Sequence, residues 1–299
     1  MVELEKIATE QRNPNTMNID TMSTLDMVRL INQEDHRVAD AVGQVSDKIA
    51  QAVDLIADRL SKGGRLIYCG AGTSGRLGVL DAVECPPTYS TDPEMVQALM
   101  AGGYGAIFKA VEGAEDSEEL GAEDMKRIAF CRKDVLVGIA ASGRTPYVMG
   151  CMEYARAAGA ATVAVTCCPG GELDRYADIG IAPAPGPEVV TGSTRMKSGT
   201  AQKMVLNMLS TGAMIKLGKV YSNLMVDVKP SNEKLIRRCV TIVCAAAQCT
   251  EEAATQALSQ CDYHPKVAIV MVLRHVDAAQ AHRLLEQAGG RIAKVLEGA

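Results

Sequence analysis

The run from Ile67 to Asp81, IYCGAGTSGRLGVLD, constrains the fold more than any other part of the chain. A short β-forming apolar stretch gives way to a loop of glycine and hydroxyl residues, and a helical spacing of apolar residues follows at once. Such a turn lets backbone amides approach an anion: glycine has no side chain, and the first N–H groups of a helix lack intrahelical partners. Thr73 and Ser74 add hydroxyl donors. The loop lacks the Gly-Lys-Ser/Thr ending of a nucleoside triphosphate loop and does not match the dinucleotide fingerprint. Standing alone, it is equally a plain strand–helix turn.

Two further segments share this grammar. Asp134 to Pro146, DVLVGIAASGRTP, runs from an apolar strand through Ser142, Gly143, Arg144 and Thr145 to a proline suited to a first helical turn. Thr191 to Thr200, TGSTRMKSGT, precedes the long apolar run AQKMVLNMLSTGAMIKL. Three hydroxyl-rich turns fit one small phosphorylated ligand held at the carboxyl ends of a parallel sheet. With so little lysine, the grip suits a phosphosugar better than a nucleoside triphosphate. The expected contacts are Gly72, Thr73, Ser74, Gly75, Ser142, Gly143 and Thr145, the glycines giving backbone access. Turn chemistry and helix capping are the competing account of the same residues. Arg195 and Lys197 are candidates either for charge beside the phosphate or for a solvated basic turn. Met196, Met204, Met208 and Met214 follow at helical spacing and read as core.

Hydrophobic spacing predicts one long helix over Gln33–Ser61, through Val38, Val42, Val45, Ile49, Val53, Ile56 and Leu60, closed by Gly63 and Gly64. Strands are predicted at 65–70, 135–140, 161–166 and 179–182, and helices at about 75–84, 94–101, 117–129, 146–158 and 199–217. This alternation predicts an α/β fold, a doubly wound parallel sheet covered on both faces. After Lys229-Pro230 the pattern turns helical, and HPKVAIVMVLRHV reads as a helix despite its β-branched core. The expected division is an arm over 1–32, an α/β domain over 33–230 and a helical C-terminal subdomain over 231–299.

Composition narrows the function classes. The 299 residues are 47% hydrophobic, enough for one α/β domain and a helical region. A net charge of −5, dispersed basic residues and the absence of tryptophan argue against a nucleic-acid surface. The acidic, polar N-terminus does not read as a signal peptide, and no apolar run reaches the roughly 20 residues of a membrane span. A cytoplasmic location is expected. Of the ten cysteines, Cys69, Cys131, Cys151, Cys239, Cys244 and Cys249 sit in apolar or alanine-rich runs, where cysteine acts as a small hydrophobe. No C-x-x-C occurs, and the four histidines show no metal spacing, so neither a metal nor another cofactor is expected.

The segments CGAGTSGRLGVLDAVECPPT, AVEGAEDS, GIAASGRTPYV and TGSTRMKSGTAQKMVLNMLST resemble the N-acetylmuramic acid 6-phosphate etherases, a family of the sugar-isomerase (SIS) fold group. The resemblance runs over about 13–298 and is most specific over 191–211. It implies a homodimer with its phosphosugar site near the subunit interface. It also implies cleavage of the D-lactyl ether at C3, giving N-acetylglucosamine 6-phosphate and D-lactate during recovery of cell-wall amino sugars. By the same resemblance Glu84 is the proton donor to the departing lactyl oxygen and Glu115 the base at C2. The residues alone leave Glu84 open as a solvated helix-end carboxylate, stopped by Pro86 and Pro87. Nor do they separate Glu115 from Glu112 or Asp116, since acids favour a first helical turn.

That chemistry calls for two tuned carboxyl groups, or one acting twice, and no metal or nucleotide. In the open-chain sugar the C2 proton is α to the C1 aldehyde, so a base forms an enolate that expels the C3 oxygen, and water then adds back at C3. An aldose–ketose phosphosugar isomerase shares the first step. A non-catalytic sugar-phosphate sensor shares the loops.

Overall fold

Five strands, β1 (Leu66–Gly70), β2 (Val96–Met100), β3 (Val135–Ile139), β4 (Ala161–Val165) and β5 (Ile179–Ile181), form a parallel sheet in the order β2-β1-β3-β4-β5. The computed structural model describes residues 8–228, 230 and 232–297. Lys229, at the expected boundary, and residues 1–7 of the expected arm lie outside them. β1, β3 and β4 are buried at every position, as continuous apolar runs require when helices cover both faces. Along β1 the side chains alternate. Ile67 and Cys69 join the core built with α4 (Glu118–Arg127) and α5 (Pro146–Ala157). Tyr68 points the other way, and its hydroxyl donates to Asp81 Oδ2 at 2.8 Å on α3 (Gly72–Tyr89).

The doubly wound parallel sheet is as expected, and three local readings are corrected. Residues 96–100 form the edge strand β2, where a helix over 94–101 was expected; Val96 to Met100 pair in register with Leu66 to Gly70. The eight residues between Pro93 and Gly102-Gly103 are too few for a stable helix, and pairing with β1 outweighs a weak local preference. The single helix over 33–61 is two, α1 (Thr24–Gly43) and α2 (Ser46–Ser61), broken where Ser46 Oγ donates to the Gly43 carbonyl at 2.7 Å. α1 begins inside the expected arm, capped by Ser23, whose Oγ accepts from Asp26 N at 3.2 Å. Finally, Pro86 and Pro87 lie within α3 instead of stopping it. They fall in its last turn, so the carbonyls that lose an N–H donor lie one turn earlier and little helix remains beyond the prolines to be disrupted.

Upstream of α1, the arm is tied down by its own polar side chains. Asn13 and Thr16 are buried; Asn13 Nδ2 donates to Glu34 Oε2 at 2.8 Å, and Thr16 Oγ1 to the Val189 carbonyl at 2.8 Å.

Two compact units divide the chain. The first takes the residues up to Ala82 and Glu94–Ser210; the second takes Val83–Pro93 and the residues from Thr211 on. These boundaries fall within α3 and within α6 (Lys197–Lys216). The second unit contains α7 (Glu233–Ala247), α8 (Glu251–Ser259), α9 (Pro265–Arg274), α10 (Ala278–Gln287), α11 (Ile292–Glu297) and a small antiparallel pair, Val220–Tyr221 with Leu224–Met225. α9 is its axis. Val267 to Met271 are all buried among the other helices, which explains why a β-branched run can be helical here.

Candidate active site

The strand order reverses direction between β1 and β3, so the loops leaving their carboxyl ends diverge and open a crevice. A cavity of about 320 Å³ lies there, walled by Ala71, Gly72, Thr73 and Ser74 after β1 and by residues 140–142 and 144–146 after β3. Glu10, Glu115, Asp116 and Thr194 complete the lining. The structure therefore brings Gly72, Thr73, Ser74, Ser142, Thr145 and Glu115 together around one space.

α3 begins at Gly72, whose φ of +52° favours glycine. The first N–H groups of this helix open at the cavity wall, where its dipole favours negative charge. Gly75, also expected as a ligand contact, does not line the cavity. A Cβ there would lie 2.6 Å from the Gly70 carbonyl oxygen, so this glycine lets α3 pack on the end of β1. Gly143, with φ +70°, likewise shapes its turn and does not line the wall.

Thr145 is the N-cap of α5, yet its side chain makes no capping hydrogen bond. Ser74 sits inside the first turn of α3, and its hydroxyl donates to Gln202 Oε1 on α6 at 2.8 Å. Arg76, two residues on, reaches the carbonyls of Ile107 and Ala106 at 2.9 and 2.8 Å and so braces the segment leading to Glu115. Glu115 and Asp116 lie on one 3-10 turn, Ala114–Asp116, and both are exposed at the cavity. Glu112 is not among the lining residues.

Lys197 is elsewhere. Its side chain is fully buried and ion-paired with Glu34, which leaves it no role beside a phosphate. Arg195 is exposed to solvent and does not line the cavity. The cationic lining residue is Arg144, in the SGRT turn, which the sequence does not distinguish from a solvated turn residue. Glu10 and Gln202 were also missed. Nothing local marks Glu10, which the arm carries to the wall, and Gln202 reads as one polar residue in an apolar helix. Glu84 is exposed on α3 and is not among the lining residues. Of the cysteines expected in apolar surroundings, Cys131 is exposed, whereas Cys69, Cys151 and Cys239 are buried.

Against known proteins, the chain is 58% identical over 291 residues to the N-acetylmuramic acid 6-phosphate etherase of Photorhabdus laumondii, covering 97% of each chain. The chain belongs to the N-acetylmuramic acid 6-phosphate etherase family. The family's Klebsiella aerogenes member is 57% identical over 295 residues, 99% of this chain and 98% of that one. Within the family's length, residues 114–212 match the SIS domain. Residues 48–156 match the glucokinase regulatory protein N-terminal SIS domain, and residues 222–283 the C-terminal lid domain of the same protein. A solved Bacteroides fragilis structure, assigned as a phosphosugar isomerase involved in capsule formation, superposes with a TM-score of 0.51 at 20% identity, over 67% of this chain and 95% of that chain. This second likeness shows the SIS fold. Among the described residues, no helix is long and apolar enough to cross a membrane.

Proposed function

We infer that this chain is a carbon–oxygen lyase that cleaves the D-lactyl ether of N-acetylmuramic acid 6-phosphate, yielding N-acetylglucosamine 6-phosphate and D-lactate. The observation that carries the reading is identity of 57–58% over nearly the whole length of relatives bearing that name. The cavity supports it, with hydroxyls and helix amides on one side for a phosphate and carboxylates on another for proton transfer. Glu115 removes the C2 proton of the open-chain aldehyde, the enolate expels the C3 oxygen as it takes a proton, and water adds to the unsaturated aldehyde at C3. Atoms balance as substrate plus one water. Ser142, Thr145, Thr73 and the amides at the start of α3 hold the phosphate, and Arg144 adds positive charge.

Glu84 as proton donor to the lactyl oxygen rests on the family resemblance, since it is not among the residues lining the cavity. A homodimer rests on the family resemblance; Leu80 and Val83, three residues apart on α3, are 43% and 58% exposed. A place in the recovery of cell-wall amino sugars is what the family resemblance implies, and a cytoplasmic location is proposed with it. Incubation of the purified protein with N-acetylmuramic acid 6-phosphate, with D-lactate measured, tests the reading. Aldose–ketose conversion without lactate would identify an isomerase, and binding without either product a sensor.

A further inference from the structure

Ser74 and Gln202 make a hydrogen bond whose direction conflicts with the work expected of Ser74. The Ser74 hydroxyl, in the cavity wall, donates its one proton to Gln202 Oε1 at 2.8 Å. Gln202, on α6, is 1% exposed, and its Nε2 is buried with no hydrogen-bond partner among the described residues. A buried amide N–H group without an acceptor is rarely kept in a folded protein. In this arrangement Ser74 has no proton left for an anion, and Gln202 carries two donors with nowhere to go.

We propose that Gln202 is a positioning residue whose amide reverses when a phosphoryl oxygen enters the cavity. The two ends of a glutamine amide have nearly the same shape, so a half-turn about its last torsion exchanges them without displacing neighbours. Nε2 then donates to Ser74 Oγ, and the Ser74 hydroxyl turns its proton to the anion. The chain runs from amide to hydroxyl to phosphoryl oxygen, each bond polarising the next. Thr73, Ser142 and Thr145 have no such tether among the described residues, so Ser74 is the cradle hydroxyl under this control. The inference rests on the reading of the cavity as a phosphosugar site.

Gln202→Glu separates this role from shape. A carboxylate of the same size accepts the Ser74 proton and cannot return one. KM for N-acetylmuramic acid 6-phosphate is expected to rise by about tenfold or more, the worth of one charge-assisted hydrogen bond, with kcat changed less than about twofold. Gln202→Met, which releases the Ser74 hydroxyl to rotate freely, is expected to raise KM less. The deciding comparison repeats Gln202→Glu in a Ser74→Ala background, with melting temperatures recorded for every variant. If Gln202 acts through Ser74, the glutamate then has no further effect on KM or on competition by inorganic phosphate. A full effect persisting without the Ser74 hydroxyl would mean plain charge repulsion and overturn the inference, as would wild-type KM in Gln202→Glu. A wild-type protein that neither releases lactate nor binds phosphate would remove the reading of the cavity and this inference together. Active wild type with uncoupled Ser74 and Gln202 would remove this inference alone.

Discussion

Lys197 Nζ lies 2.8 Å from Glu34 Oε2, 163 positions away in sequence, and neither side chain is more than 1% exposed. Asn13 and Asn15 donate to the same carboxylate at 2.8 and 2.9 Å, so the arm, α1 and the start of α6 meet at one buried charge pair. Nearby, the fully buried Glu188 accepts from the backbone N–H groups of Lys197 and Ser198 at 2.8 and 2.9 Å, which caps α6.

The pair predicts an acid-sensitive fold. Burial by itself favours the protonated Glu34, but hydrogen bonds from Lys197, Asn15 and Asn13 outweigh it and hold the carboxyl at about 2, against an ordinary value of 4.5. A carboxyl depressed in the folded state stabilises fully above its unfolded value and loses that contribution as pH falls through the folded one. Melting temperature should therefore decline from about pH 4.5 towards about pH 2, and Glu34→Gln should flatten that part of the profile. Lys197→Met removes the buried cation and leaves the carboxylate with Arg37, 3.4 Å away on a side chain 57% exposed, and should cost roughly 3 kcal/mol in urea unfolding. Wild-type stability with a raised KM would instead return Lys197 to the ligand.

Glu115→Gln should lower D-lactate release by about 10²–10⁴-fold, the usual contribution of a general acid or base, and abolish exchange of the C2 hydrogen with solvent. Asp116→Asn, on the same turn, should leave C2 exchange in place. The reverse outcome would move the base by one residue.

Glu84→Gln should nearly abolish lactate release with phosphosugar binding kept within a few fold and C2 exchange retained, since the missing acid acts on the leaving oxygen. Equal loss of binding and turnover would make Glu84 a structural residue of α3.

Gly75→Ala should destabilise the protein by about 1–3 kcal/mol, because its Cβ would sit 2.6 Å from the Gly70 carbonyl oxygen and 3.0 Å from Met100 Cγ. Gly105→Ala, with nothing within 4 Å of its Cβ, is the control. Equal melting temperatures for the two variants would contradict the packing account.

In ¹⁸O water, label should enter C3 of the product amino sugar while the released lactate keeps its ether oxygen. Label in the lactate hydroxyl would mean cleavage on the lactyl side, which eliminates the enolate route even for a working etherase.

Local pattern alone identified the sheet and most of the loop residues that wall the cavity. Apolar runs of strand length at β1, β3, β4 and β5, each followed by a turn or helix signal, leave a parallel sheet as the economical solution, and ligand loops must then emerge at carboxyl ends. Ser142, Thr145 and the Gly72–Ser74 turn were legible because loop chemistry is written in adjacent residues. The rest depends on partners distant in the chain. Residues 96–100 are a strand because β1 offers a free edge, not because their spacing says so. Lys197 reads from sequence equally as charge beside a phosphate or as a solvated basic turn, and its burial against Glu34 is neither; the direction of Ser74's only proton is set by Gln202, 128 residues away. A sequence states which groups exist and how neighbours alternate; which charges lose their water, and to whom, is decided when helices far apart in the chain pack together, because the cost of burying a charge or a hydroxyl depends on the partner that comes with it.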